Sequence, residues 1–244
     1  ETLSLEDKRI LKTTNYEICD FKKSLKLQNI DFTYDNKKNF FKSENFVLEC
    51  GKVTGIYGQS GSGKSTLLNL ITFLFKPNKG KIYIDDNEVL NDMNKRKFQN
   101  IITFISQDTF LIEDTIKNNI TLSSDQNIDN KKLEKAIQFA CADKFIKDLP
   151  GQLDYMVGTH GRKISSGQKQ RIVIARAFYD AREILVLDEA TNAIDENTEK
   201  EIYQNIIDEK GSKTIIIVSH NKSNLSFCDN KYEIKDGSII KLIN

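Results

Sequence analysis

Val53-Thr54-Gly55-Ile56-Tyr57 leads into Gly58-Gln59-Ser60-Gly61-Ser62-Gly63-Lys64-Ser65-Thr66, and Leu67-Leu68-Asn69-Leu70-Ile71 follows. The first run is apolar and β-prone, the second is glycine-rich, and the third has the apolar density of a buried helix start. From Gly58 to Ser65 the residues obey G-x-x-x-x-G-K-[ST] in strand–loop–helix context, a phosphate-cradling pattern. Glycines let backbone N–H groups turn inward, and the following helix adds the positive end of its dipole. Lys64 is expected to reach β- and γ-phosphates, and the Ser65 hydroxyl to ligate Mg²⁺. Read as a mere flexible Gly/Ser loop, the stretch would not need its apolar flanks.

Further along, three β-rich runs end at polar residues. Ile101–Ser106 runs into Gln107, Ile184–Leu187 into Asp188-Glu189, and Thr214–Ser219 into His220. Leu25–Phe32, Phe46–Leu48 and Lys81–Ile84 also read as strands, and helical periodicity marks Lys131–Lys147 and Gln168–Tyr179. Near-continuous apolar strands alternating with helices predict a mostly parallel sheet covered on both faces. Ligands of such sheets sit at the carboxyl ends of the strands, so the loop, Gln107, Asp188-Glu189 and His220 are expected to converge.

Each candidate has its own chemistry. Mg²⁺ takes one or two carboxylates and keeps waters, which suits Asp188, with Ser65 and Gln107 as further oxygen donors. Glu189 is placed to polarise the attacking water as general base. Two acids at a strand end, followed by Ala190-Thr191-Asn192, also fit a helix N-cap; the phosphate loop upstream favours the metal reading. Gln107 is a neutral amide that leaves the charge balance unchanged. His220, one of two histidines in the chain, is expected to hydrogen-bond the γ-phosphate, although a lone histidine is usually a satisfied polar residue.

Ile164-Ser165-Ser166-Gly167-Gln168-Lys169-Gln170-Arg171 resembles the signature of ATP-binding cassettes (ABC), Leu-Ser-Gly-Gly-Gln before a basic helix. The order phosphate loop, Gln, signature, Asp-Glu, His is complete. Asp195 matches the family's D-loop and Tyr34 the aromatic residue that stacks on adenine. The resemblance covers about Leu25 to Leu242. It implies an α/β fold with a P-loop NTPase core and mostly parallel sheet. It adds an antiparallel β subdomain, and a helical subdomain over about 108–167 that carries the signature.

The resemblance also implies Mg²⁺-dependent ATP hydrolysis by paired cassettes. The signature helix terminus, with Ser165, Ser166, Gly167 and Gln168, would cap a γ-phosphate held by the phosphate loop of a second cassette, a homodimer or heterodimer partner. The stretch Gln107–Ile120 and the run Leu149-Pro150-Gly151 to Val157-Gly158 look like export-type cassettes fused behind a membrane domain, similar to bacterial lipid or glycolipid flippases and peptide exporters. Residues 1–23 are then a linker from an upstream transmembrane domain, and residues 24–244 the cassette. The expected location is the cytoplasmic face of the bacterial inner membrane, with the fragment itself soluble.

Bulk properties agree. With 244 residues, 39% hydrophobic, the chain can build a substantial core. Its 36 basic and 35 acidic residues leave net charge +1 and no basic stripe, so nucleic acid is not an expected partner. The four cysteines are scattered without a C-x-x-C pair, which speaks against a metal or disulfide framework. No apolar run approaches the roughly 20 residues of a membrane-spanning helix.

Two positions depart from the family pattern. Ser166 stands where Gly is usual, with weak impairment or none as the expected effect. Thr159-His160 replaces the Glu-Arg that exporters commonly place before the signature, which suggests altered coupling to a membrane domain. The competing readings are an importer cassette, a soluble ABC ATPase acting on DNA or ribosomes, and a regulatory nucleotide-binding module.

Overall fold

The computed structural model describes residues 21–34, 40–89, 92–107, 109–123, 128–180 and 182–242. The expected linker therefore lies almost wholly outside the described residues, as does Cys19. Two sheets organise the chain. The strands β1 (Ser24–Phe32), β2 (Phe41–Glu49), β4 (Lys79–Ile84) and β5 (Asn87–Glu88) form an antiparallel sheet in the order β2-β1-β4-β5.

The larger sheet has the order β10-β9-β3-β8-β7-β6, built from β3 (Val53–Tyr57), β6 (Ile102–Ile105), β7 (Ile184–Asp188), β8 (Thr214–Ser219), β9 (Asn230–Lys235) and β10 (Ser238–Leu242). All its pairings are parallel except that of β10 on β9 at the edge.

Period-two alternation explains why β7 and β8 read as continuous apolar runs. Ile184 and Val186 of β7, with Ile216 and Val218 of β8, enter a core shared with the antiparallel sheet and helix α1 (Lys64–Ile71). Leu185 and Leu187, with Ile215 and Ile217, enter the opposite core beneath α4 (Asn130–Phe139), α6 (Ser166–Asp180) and α7 (Glu196–Asp208). Both faces are buried, so residues 184–187 and 215–218 are apolar on either side. Helix α2 (Asp92–Gln99) precedes β6, and α3 (Ile116–Thr121), α4 and α5 (Asp143–Asp148) lie between β6 and the signature helix α6.

The single helix expected over Lys131–Lys147 is two. Cys141 takes a left-handed φ of 51° between α4 and α5. Tertiary donors hold the break: Asn205 donates to the Phe139 carbonyl at 2.9 Å and Arg171 to that of Cys141 at 3.0 Å. Burial pushes the Cys141 thiol up to about 11 and Cys228 to about 12. Among the described residues no helix is long and apolar enough to cross a membrane.

Candidate functional site

The carboxyl ends of β3, β6 and β7 face one cavity of 290 Å³. Ser60, Gly61, Gly63, Lys64, Ser65, Thr66, Gln107, Asp188 and Glu189 line it, together with Tyr34 and Phe40. A larger cavity of 730 Å³ continues along Tyr57, Gly58, Gln59 and Ser62 to the β9–β10 turn. It shares Tyr34, Phe40, Ser60 and Gly61 with the first. The convergence expected from the sequence is thus met for the loop, Gln107, Asp188 and Glu189.

The loop's shape comes from its glycines. Gly63 caps α1 at φ 118°, a conformation closed to L side chains, and a Cβ there would meet the Phe40 ring at 2.5 Å. Among the described residues no side chain caps α1, which leaves the N–H groups of its first turn available to an outside acceptor. The Ser62 hydroxyl is buried and has no hydrogen-bond partner among the described residues. An unsatisfied donor inside a positive helix terminus suits an oxyanion. Lys64 is 7% exposed and donates to the carbonyls of Gly58 at 2.8 Å and Gln59 at 3.1 Å.

Two carboxylates sit against that lysine. Glu189, at φ 51°, places Oε1 3.7 Å from Lys64 Nζ, accepts from Asn192 Nδ2 at 2.8 Å, and lies 4.0 Å from His220 Nδ1. Burial raises the Asp188 carboxyl above its ordinary range, the Glu189 charge raises it further, and Lys64 opposes both. One carboxylate, one hydroxyl (Ser65) and one amide oxygen (Gln107) on one cavity wall are the sparse oxygen set that fits Mg²⁺ with phosphates and waters. His220 is exposed and joins through Glu189 rather than through the cavity wall.

Glu199 of α7 ties together the segments that follow these groups. Its Oε1 accepts from Thr191 at 2.7 Å, Tyr203 at 2.9 Å and Asn224 at 3.1 Å. Thr191 lies in the loop after Glu189, and Asn224 in the turn after His220. Sequence reading passed over Glu199, since a single glutamate on a helix carries no pattern.

The signature residues and Asp195 lie elsewhere. Ser165, Ser166, Gly167, Gln168 and Asp195 line neither phosphate-loop cavity. Ser165 starts α6 through a reciprocal capping box: its hydroxyl accepts from Gln168 N–H at 3.3 Å, and Gln168 Oε1 accepts from Ser165 N–H at 3.0 Å. The helix therefore begins at Ser166, two residues before the expected start. Gly167 is pressed against the loop after Glu189, where a Cβ would stand 2.7 Å from the Ala193 carbonyl oxygen. Gln170 accepts from Ala193 N–H at 2.8 Å. Asp195 caps α7 through Thr198 N–H at 3.0 Å. Ser166 is exposed and avoids positive φ, so this backbone does not require glycine there.

Tyr34 is 61% exposed and its hydroxyl contacts Thr66 Oγ1 at 2.6 Å, which anchors the ring beside the loop. Phe40 and the residues from Glu233 to Gly237 were not singled out from sequence. The Asp236-Gly237 pair between alternating residues is the turn signal that marks this hairpin. Of the two residues that depart from the pattern before the signature, His160 has φ 54° and its ring lies 6.1 Å from that of Phe110.

Comparison with known proteins agrees with this geometry. Residues 41–192 match the family model described as ABC transporter. An ATP-dependent lipid A-core flippase of Photobacterium profundum is 34% identical over 93% of this chain and 39% of its own length. An uncharacterised ABC transporter ATP-binding protein of Sinorhizobium fredii is 37% identical over 88% of this chain and 36% of its own. A bacterial Atm1-family ABC exporter solved with ATP bound superimposes with TM-score 0.83 at 28% identity, over 96% of this chain and 42% of that one. The chain thus spans about two fifths of the length of the curated relatives it matches.

Proposed function

The chain belongs to the ABC transporter family, and from that membership we propose that it is the ATP-hydrolysing cassette of an export-type transporter or flippase. The carrying observation is one cavity that gathers the phosphate loop, Gln107, Asp188 and Glu189 while the signature residues stand outside it. A site built that way lacks a cap on the γ-phosphate within one chain, and a second cassette supplies it. The longer relatives support a membrane domain in the same polypeptide, working at the cytoplasmic face of the inner membrane.

In this reading Lys64 and the loop amides hold the β- and γ-phosphates, and Tyr34 stacks on the adenine. Ser65, Gln107 and Asp188 would hold Mg²⁺, which neutralises charge that develops on the phosphates. Glu189 accepts a proton as water attacks the γ-phosphorus and the bond to the β,γ-bridging oxygen breaks, giving ADP and phosphate. His220 steadies the γ-phosphate. Asp195 and the Ser165 end of α6 face the partner's nucleotide, so ATP favours the closed pair and its hydrolysis products do not.

The test is the molar mass of Glu189→Gln by light scattering, with and without Mg-ATP. An ATP-dependent doubling is the expected result. A monomer that binds ATP without pairing would overturn the two-cassette reading, and absence of ATP binding would overturn the nucleotide site itself.

A further inference from the structure

The ladder between β7 and β8 closes at Asp188 opposite Val218, with Glu189 N–H on the Val218 carbonyl at 3.2 Å. Glu189 and His220 stand just past that point, on segments that leave the sheet separately. One continues through residues 190–195 into α7, the other through Asn221 into the short 3-10 turn Lys222–Leu225. The 4.0 Å spacing of Glu189 Oε2 and His220 Nδ1 therefore depends on contacts made beyond the ladder.

Glu199 supplies a contact common to both segments. Its Oε1 accepts from Thr191 Oγ1 at 2.7 Å on one side and from Asn224 Nδ2 at 3.1 Å on the other. The Thr191 bond closes a ring across residues 192–198. That ring contains Asn192, bonded to Glu189 Oε2 at 2.8 Å, and Asp195, the cap of α7. Tyr203, one turn further along α7 and 8% exposed, donates to the same carboxylate oxygen and stiffens it. Gln170 holds Ala193 N–H, and Leu225 is buried, so each segment also has an anchor of its own. Those anchors fix each loop to the body of the domain, whereas Glu199 fixes the loops to each other.

Resting on the hydrolysis reading above, we propose that Glu199 is a positioning residue for ATP hydrolysis. Its carboxylate locks the loop after Glu189 to the turn after His220, and so holds these two groups at one spacing around the attacking water. Glu199 lines neither phosphate-loop cavity, so it acts through Thr191 and Asn224 rather than on the nucleotide. Phosphate affinity rests on Lys64 and the loop amides, which the clamp does not touch. Its loss therefore falls on kcat and spares ATP binding.

The experiment measures kcat at saturating Mg-ATP, Mg-ATP affinity by calorimetry, and Tm. Glu199→Ala is expected to lower kcat at least about tenfold, toward the roughly hundredfold that a misplacement of about 1 Å can cost. Its Kd for Mg-ATP should stay within about twofold of wild type. Glu199→Gln keeps an acceptor oxygen and should recover most of the lost turnover. Asn224→Ala opens one arm of the clamp and should lower kcat about tenfold alone, yet less than about twofold when added to Glu199→Ala. Asn205→Ala, on the same helix, removes a donor to the Phe139 carbonyl and should lower Tm without moving kcat. Losses in kcat that merely track Tm across these variants would overturn the inference. So would additive losses in the double variant, or a fall in ATP affinity as large as the fall in kcat. If Glu199→Ala does not fold, Asn224→Ala carries the test alone, and an unchanged kcat there would overturn the clamp. A wild-type chain that binds Mg-ATP without hydrolysing it would overturn the hydrolysis reading, and this inference with it.

Discussion

The ammonium of Lys64 lies 3.7 Å from a carboxylate oxygen of Glu189, with both side chains largely withdrawn from solvent. The same ammonium is held by two loop carbonyls and interacts with the Asp188 charge, so Glu189 is not its sole counter-charge. In the proposed reading, phosphate oxygens would compete for Lys64 and free Glu189 to accept a proton from water. Glu189→Gln is therefore expected to retain ATP and lose at least about a hundredfold in turnover, the lower range for removing a general base. Phosphate release and equilibrium binding check this. Turnover within about threefold of wild type would remove Glu189 from the chemistry.

Asp188 gives a pH signature. Burial first, then the Glu189 charge, raises its carboxyl in the folded chain. A raised carboxyl stabilises the fold below the unfolded-state value of 3.8. That contribution is lost as pH rises through the folded-state value, since the folded state then holds more protons than the unfolded. Asp188→Asn is neutral throughout and escapes the penalty. Without nucleotide it should melt above wild type at pH 7.5, because burial and the Glu189 charge penalise the ionised carboxylate that the variant lacks. The gain should shrink as pH approaches 4. Mg-ATP should raise the Tm of wild type more than that of the variant. An equal or lower Tm for the variant at pH 7.5 would contradict the electrostatic account.

The capping box at Ser165 separates stability from nucleotide capture. Ser165→Ala removes the side-chain acceptor for Gln168 N–H and should cost about 1 kcal/mol, a Tm fall of about 2–4 °C. ATP affinity of the single cassette should stay within twofold, because Ser165 lines neither phosphate-loop cavity. Gly167→Ala is expected to be worse, with a Cβ 2.7 Å from the Ala193 carbonyl oxygen and a loss of about 1–3 kcal/mol by overpacking. Ser166→Gly should leave Tm within about 2 °C, since that side chain is exposed. Thermal melts beside calorimetry distinguish these outcomes.

What the sequence disclosed follows interaction range. The placement of the phosphate loop and of the Asp188-Glu189 strand end at one cavity was legible because adjacent residues carry the strand, loop and helix signals. Buried parallel strands were legible because they are apolar on both faces. The break at Cys141 was not: α4 and α5 share one apolar periodicity, and donors from Asn205 and Arg171, 30 or more residues away, end the first helix. Phe40 escaped notice for a related reason. A phenylalanine at a strand start reads as core, and only the fold sets its ring against Gly63, where both cavities meet. Glu199 gathers three donors from segments 8 and 25 residues away and from its own helix, a convergence no local window contains.

The entry of the chain into β1 depends on another such contact. Asp85, in the turn between β4 and β5, accepts from the backbone N–H groups of Lys22 at 2.7 Å, Lys23 at 2.7 Å and Ser24 at 3.0 Å. Three donors on one carboxylate fix the segment just before β1, and Phe21 is 5% exposed beside Phe98 in an edge-on pair. Among the described residues the neighbouring Asp86 makes surface ion pairs with Lys23 and Lys26, which are worth little in water. Both aspartates have positive φ, 49° and 68°, so an alanine introduces comparable backbone strain at either. Asp85→Ala should therefore lower Tm by about 3–6 °C, on the order of 1–2 kcal/mol for charge-assisted bonds at a partly exposed site. Asp86→Ala should lower it by less than about 2 °C. Hydrogen exchange should accelerate at Lys22, Lys23 and Ser24 in Asp85→Ala alone. Equal effects of the two substitutions would mean that turn strain, rather than the three-donor clamp, holds this segment in place.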